Sequence, residues 1–117
     1  MMSGLSEILV VTGLLGAGVV YGTDTFFAAV GRPALARASD AAVVSVMGHL
    51  HGYGDARMLI FGALGLLSTT ALVFTAGLGS AASWWAILAL AGLGTQLGAY
   101  LTVAKPINVA LTQAATR

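Results

Sequence analysis

Apolar residues fill two long stretches of the chain, and polar residues are concentrated between and beside them. The first stretch covers about residues 5–30 and is interrupted near its end by Asp24. The second contains no charged residue from Met58 to Ala104 and is divided by a turn of small residues at 77–83. Because about 20 apolar residues cross a bilayer as a helix, we expect an all-α bundle with three membrane spans, at about 5–30, 58–78 and 84–104.

The segment between the first two spans is predicted to contain a helix end followed by the start of a second, short helix. Gly31-Arg32-Pro33 is expected to end the first helix, because proline disfavours helical geometry at the residue before it and cannot donate to a continuing helix. Ser39 then offers a helix N-cap for an apolar run that closes at Leu50. That run is too short to cross a membrane, so we expect a short interfacial or re-entrant helix at about 39–51. All elements belong to a single domain, residues 1–117.

The composition of the chain indicates whether it lies in water or in a lipid bilayer. Hydrophobic residues make up 58% of it and charged residues only 8%, whereas soluble domains carry about 25% charged residues. The chain therefore belongs in a lipid bilayer, as a multi-pass protein of the cell membrane. The absence of cysteine excludes disulfides and iron–sulfur clusters, and the net charge of +1 argues against nucleic acid as a partner. The N-terminus lacks a basic segment typical of signal peptides, so the first span is expected to stay in the mature protein.

The basic residues predict the orientation of the chain. With three crossings, all five lie on one side of the membrane, and the opposite side receives only the N-terminus with Glu7 and the small-residue turn. Basic residues favour the cytoplasmic side, which places the N-terminus outside and the C-terminus in the cytoplasm. The five residues are Arg32, Arg37, Arg57, Lys105 and Arg117.

The polar stretch Gly48–Arg57 is the main candidate for a site. It contains both histidines of the chain, and three glycines interleave its polar residues, so we expect it to depart from regular helix. The three-span topology brings it to the same membrane face as polar residues from the ends of the other spans. The residues that share this face are Asp24, His49, His51, Tyr53, Asp55, Arg57, Tyr100, Lys105 and Asn108.

These side chains fit two kinds of catalytic chemistry and one interpretation without catalysis. A turn at the glycines would let His49 and His51 bind a non-haem iron or copper ion together with Asp24 or Asp55, although on a regular helix the two histidines would point about 200° apart. Alternatively, no cofactor is needed, and His51 oriented by Asp55 acts as a general base. Tyr53 could then orient a phenolic substrate. A third interpretation has the histidines and the tyrosine contacting lipid headgroups.

Three further features bear on packing. Asp24 lies inside a span and needs a partner, for which Arg57 or a histidine is available. Asn108 carries an amide that can hydrogen-bond to the glycine-rich stretch. The pairs Gly18/Gly22 and Gly94/Gly98 predict close helix packing, within the bundle or between the copies of a homo-oligomer.

The order of these signals resembles the small membrane proteins of the anthrone oxygenase-like family. The residues that carry the resemblance are Val19-Val20-Tyr21-Gly22, Gly31-Arg32-Pro33-Ala34-Leu35, the histidine-bearing segment and Pro106-Ile107-Asn108-Val109-Ala110-Leu111, similar to that family's P-x-N-x-x-L ending. The resemblance covers most of the chain and implies an oxygenase that acts with dioxygen on the activated methylene of a small apolar aromatic substrate. Family members commonly have a further apolar helix after P-x-N, which is missing before Arg117.

On this resemblance, either histidine would remove an acidic C–H proton, Asp55 or Asp24 would orient it, and Arg57 or Asn108 would stabilise the oxyanion. Two alternatives come from other functional classes. One is a small proton-coupled exporter that uses Asp24, and the other is a non-catalytic accessory subunit that packs through its glycine faces.

Overall fold

Three long helical stretches, joined by two short turns, make up the computed structural model, which describes residues 3–117. The described residues form no strand, and the predicted all-α class is confirmed. Two of the stretches contain one π-helical turn each, at Phe27–Gly31 and Tyr100–Ala104. The α-helices are α1 (Gly4–Phe26), α2 (Arg32–Leu35), α3 (Asp40–Thr75), α4 (Ala81–Ala99) and α5 (Lys105–Ala115).

The stretches Gly4–Leu35, Asp40–Thr75 and Ala81–Ala115 are each long and apolar enough to cross a membrane. At 1.5 Å per residue, α3 is about 54 Å long, so it extends well beyond a hydrocarbon core of about 30 Å. Its charge-free part, Met58–Thr75, is about 27 Å long and matches that core. The part of α3 that precedes Met58, with α5 beside it, is therefore additional to the length that a membrane span requires.

Helix α3 is the centre of the bundle, with α1 on one side of it and α4 and α5 on another. Its backbone comes closest to α1 at Gly16, where an added Cβ would lie 2.7 Å from the carbonyl oxygen of Phe61 and 2.9 Å from the amide nitrogen of Gly65. A side chain at position 16 would therefore separate the helices. Gly18, Gly22, Gly94 and Gly98, in contrast, have open space where a Cβ would be added. The expectation that these pairs pack within the bundle is therefore wrong, and packing between copies of a homo-oligomer stays a prediction.

The separate short helix expected at 39–51 is absent, because α3 runs unbroken from Asp40 to Thr75. Ser39 caps it as expected, accepting a hydrogen bond from the amide of Ala42 at 3.3 Å. The glycine-rich stretch 48–57 is helical throughout, which contradicts the expected departure from helix. Glycine costs only about 1 kcal/mol relative to alanine within a helix, and the packing of α5 against this stretch offsets that cost.

Both prolines lie within continuous helical stretches, although the first helix was expected to end at Gly31-Arg32-Pro33 and the third span at about residue 104. Pro33 and Pro106 each stand in the first turn of an α-helix, directly after a π-helical turn. The wider turn accommodates a residue with no amide donor and moves the preceding carbonyl groups, with which the proline ring would otherwise clash. Gly31-Arg32-Pro33 therefore lies within a continuous stretch that ends at Leu35, and the segment after Ala104 forms α5.

Hydrogen bonds from serine fix the end of the bundle opposite the polar stretch. Ser83 donates from its buried Oγ to the carbonyl oxygen of Val73 at 2.8 Å, which fastens the turn between α3 and α4. Ser6 is also buried, and its Oγ donates to Oγ1 of Thr75 at 3.0 Å, joining α1 to α3. These contacts fix the positions of α1, α3 and α4 relative to one another along the bundle axis.

The Ser6–Thr75 hydrogen bond is expected to make a small but measurable contribution to stability. Interhelical hydrogen bonds in membrane proteins contribute about 0.6 kcal/mol on average, so a cycle of Ser6→Ala, Thr75→Val and the double variant should give a coupling energy of this size. Unfolding in mixed micelles measures it. A coupling energy of zero would mean that the two hydroxyl groups do not interact in the folded protein.

Candidate functional site

The carboxylate of Asp55 accepts three side-chain hydrogen bonds. Its Oδ1 lies 2.9 Å from Nδ1 of His51, one turn earlier on α3. Its Oδ2 accepts from the hydroxyl of Tyr100 at 3.2 Å and from Nδ2 of Asn108 at 3.1 Å. We call these four residues the Asp55 cluster. Three parts of the chain converge in it: α3, the π-helical turn at Tyr100–Ala104, and α5.

The packing of α5 on α3 brings the cluster together. Gly48 approaches α5 so closely that a Cβ would overlap the carbonyl oxygen of Leu111 and the side chain of Ala115. Thr112 donates a hydrogen bond from Oγ1 to the carbonyl oxygen of Gly48 at 3.1 Å. Asn108 lies one turn before Thr112 on the same face of α5, and therefore reaches Asp55.

His51 is positioned to act as a base. An ionised carboxylate only accepts hydrogen bonds, so Nδ1 of His51 carries the proton that faces Asp55. In a neutral imidazole this leaves the lone pair on Nε2, and no described residue hydrogen-bonds to that atom. The side chains of His51 and Asp55 are 21% and 28% exposed, so a small molecule can reach the ring.

His49 lies outside the cluster. Its Nδ1 is 2.7 Å from the carbonyl oxygen of Ser45, and on the continuous helix α3 it points about 200° away from His51. The prediction that the two histidines share one metal ion is therefore wrong for a single chain. Among residues 3–117, no three His, Cys, Asp or Glu side chains are grouped so that they could hold a metal ion.

Arg57 and Tyr53 are also placed away from Asp55. Arg57 donates to the carbonyl oxygen of Tyr53, and its guanidinium lies 5.5 Å from the centre of the Tyr53 ring. The Tyr53 side chain is largely exposed. These two residues form a local pair on the surface of α3. Arg57 is two residues after Asp55 on a continuous helix, so its Cβ points about 200° away from that of Asp55, and no ion pair joins the two among the described residues.

Asp24 has a partner, but not the one expected. Its Oδ2 accepts a hydrogen bond from Nε2 of Gln96 at 3.0 Å, which links α1 to α4. No ion pair of Asp24 with Arg57 or a histidine occurs within the described part of the chain. The nine residues predicted to share a membrane face therefore divide into three groups. Four form the Asp55 cluster, Asp24 pairs with Gln96, and the other four are exposed side chains outside the cluster: His49, Tyr53, Arg57 and Lys105.

Two residues contribute to this site beyond the candidates predicted from the sequence. Tyr100 is predicted only to share a membrane face with those candidates, and Thr112 is not among them. The spacing of Tyr100, Asn108 and Thr112, at intervals of eight and four, would put them on one face of a continuous helix. Pro106 lies between Tyr100 and Asn108 and indicates a helix end, so the sequence does not predict that one helix carries all three residues.

A groove of about 520 Å³ lies between α1, α3 and α4. It includes Thr69 and Leu72 of α3, which lie more than about 20 Å along that helix from Asp55. The groove and the Asp55 cluster are therefore separate features. Comparisons with protein families, with curated proteins and with solved structures find no match for this chain.

Proposed function

We propose that this chain is a membrane-embedded oxygenase-like enzyme in which His51, oriented by Asp55, is the general base. The observation that supports the proposal most is the 2.9 Å contact between Nδ1 of His51 and Asp55, whose other oxygen is occupied by Tyr100 and Asn108. A carboxylate held in this way fixes both the tautomer and the orientation of the imidazole. The site lies where an apolar substrate leaves the hydrocarbon core.

The proposed reaction converts an aromatic methylene to a ketone: R₂CH₂ + O₂ → R₂C=O + H₂O. Nε2 of His51 takes one proton from the methylene, and the carbanion adds dioxygen to give a peroxide. Protonation by the imidazolium yields the hydroperoxide R₂CH–OOH. Loss of the second methylene proton, with cleavage of the O–O bond, then forms the C=O group and water. Dioxygen is the oxidant, so the balance requires no other electron acceptor.

Asn108 is the better of the two proposed oxyanion partners. One N–H of its amide faces Asp55, and the other remains to donate to a developing enolate or peroxide oxygen. Arg57 is turned towards Tyr53 and away from the cluster. We further propose that the end of the bundle with the Asp55 cluster is cytoplasmic, because the five basic residues flank the charge-free segments on that side.

The test uses the full chain in nanodiscs with anthrone as the probe. We expect oxygen uptake and anthraquinone formation in a ratio of one to one, at a rate proportional to protein and well above spontaneous oxidation in empty nanodiscs. A rate equal to that of empty nanodiscs would overturn the proposal for this substrate class. Uptake that leaves hydrogen peroxide in place of water would contradict the written stoichiometry.

A small proton-coupled exporter is the second candidate, and the Asp24–Gln96 hydrogen bond favours it. A carboxylate that contacts a second span without a cationic partner is a suitable proton-binding group. In liposomes, this function predicts substrate-dependent proton flux that is abolished by Asp24→Asn and retained by His51→Ala. Flux lost in His51→Ala and retained in Asp24→Asn would contradict it.

A further inference from the structure

The groove between α1 and α4 has apolar walls and a polar end. Its floor is α3, and its walls include Gly13 and Ala17 of α1 and Trp85, Ala89 and Leu93 of α4. Asp24 lies seven residues after Ala17, and Gln96 three residues after Leu93, so each continues the helix face that lines the groove. Their 3.0 Å hydrogen bond joins α1 and α4 there. The groove therefore leads to a carboxylate.

The chemistry of Asp24 defines what could bind at this end. Only its Oδ2 is hydrogen-bonded within the described residues, to a neutral amide, and no basic side chain of this part of the chain pairs with it. Asp24 is exposed, so Oδ1 is open to a ligand. A carboxylate close to the hydrocarbon core is stabilised by a cation or a hydrogen-bond donor. A ligand with a positively charged head would supply both.

The dimensions define the rest of the ligand. From Ala82 to Gln96 the wall formed by α4 is about 20 Å long, and the volume of about 520 Å³ falls in the range of small-molecule sites. An extended chain of 16 carbon atoms is about as long as this wall, so the length and volume of the groove suit one hydrocarbon chain.

We propose that this groove binds a single-chain amphiphile with a protonated amine head, the amine against Asp24 and the chain along α4 towards Trp85. This binding is independent of the reaction proposed at the Asp55 cluster. The proposed binding also gives a role to Asp24 and Gln96, which lie outside that cluster. The proposal does not depend on whether the bound molecule is transported.

Tryptophan fluorescence can test both the affinity and the direction of binding. The chain has two tryptophans, and Trp84→Phe leaves Trp85 in the groove wall as the only tryptophan, which is excited selectively at wavelengths where tyrosine does not absorb. The probe is hexadecylamine brominated either at the end of the chain or next to the head, added to protein in phosphatidylcholine nanodiscs. Because Trp85 lies about 16 Å along α4 from Gln96, we expect saturable quenching by the end-labelled amine and little quenching by the head-labelled one.

Three controls separate this site from partitioning into lipid. Asp24→Asn, and hexadecanol with the same bromine label, should each weaken the apparent affinity at least about tenfold, because the charge-assisted hydrogen bond is lost. Glu7→Gln removes a carboxylate from the other end of α1 and should change nothing. Trp85→Phe, which leaves Trp84 outside the groove, should show only unsaturable quenching.

Equal quenching by the amine and the alcohol, or an unchanged affinity in Asp24→Asn, would overturn the proposal. Equal quenching by the two bromine positions would contradict the proposed direction. If Trp85 is shielded from every probe, and cysteines introduced at Leu14 in the groove wall cross-link two chains, a second copy occupies the groove and the proposal is wrong.

Discussion

Replacing His51 with alanine is expected to lower anthrone-dependent oxygen uptake at least about 100-fold, because a positioned general base contributes about 10²–10⁴ to a rate. His49→Ala is the matched control, since it removes the same side chain two residues away on the same helix. Among residues 3–117, its Nδ1 has one hydrogen-bond partner, the carbonyl oxygen of Ser45, so uptake should stay within about twofold of the unmodified protein. Oxygen electrode traces on both variants in nanodiscs provide the measurement.

A second measurement distinguishes base catalysis from loss of structure. Without dioxygen, the protein in D₂O should accelerate exchange of the anthrone methylene hydrogens, and His51→Ala should abolish that acceleration. The variant should still unfold at the same denaturant concentration within the error of the method, because His51 is partly exposed and its removal leaves no buried donor. Equal loss of activity in the two histidine variants would remove His51 from its proposed role.

The fold could be predicted from the sequence where a single physical requirement dominates. The uncharged run from Met58 to Ala104 leaves no alternative to membrane-spanning helices, and the small residues near its middle leave one place for a turn. The start of α3 at Ser39 followed from capping alone. These features depend on local composition, so no knowledge of tertiary contacts was needed to find them.

The continuity of the helices could not be predicted from the sequence, because it depends on contacts between residues that are far apart in the chain. Glycines at 48, 52 and 54 are weak helix formers, yet α5 packs against two of them, Gly48 and Gly52. Prolines 33 and 106 ordinarily end helices, and a π-helical turn before each allows the helix to continue. Local propensity was the only available guide, and tertiary packing overrode it.

The candidate site was predictable to a similar extent. His51 and Asp55 are four residues apart, so their side chains are neighbours if this stretch is helical. The amide of Asn108 does hydrogen-bond to the glycine-rich stretch, as expected. The partner of Asp24, in contrast, depends on the relative height of α1 and α4, which the serine contacts at Ser6 and Ser83 determine. No pattern within either helix encodes that height.

Gly48 offers the most direct test of how the cluster is assembled. It lies where α3 and α5 are in closest contact, one turn before His51 and Gly52. An added methyl group there would meet a backbone carbonyl, which cannot move aside as a flexible side chain can. Gly54 is on the same helix with open space at its Cα, so the two positions differ in packing and not in secondary structure.

Gly48→Ala is therefore expected to destabilise the protein by about 1–3 kcal/mol through overpacking, whereas Gly54→Ala should stabilise it by up to about 1 kcal/mol through helix propensity. The first variant should also displace α5, and with it Asn108, from Asp55. Since the chain has no cysteine, spin labels at Val46→Cys and Gln113→Cys report the separation of α3 and α5. A longer and broader distance distribution in Gly48→Ala alone, together with a loss of oxygen uptake, would establish that the Asp55 cluster depends on this contact. An unchanged distribution would mean that other contacts of α5 are sufficient to hold Asn108 in place.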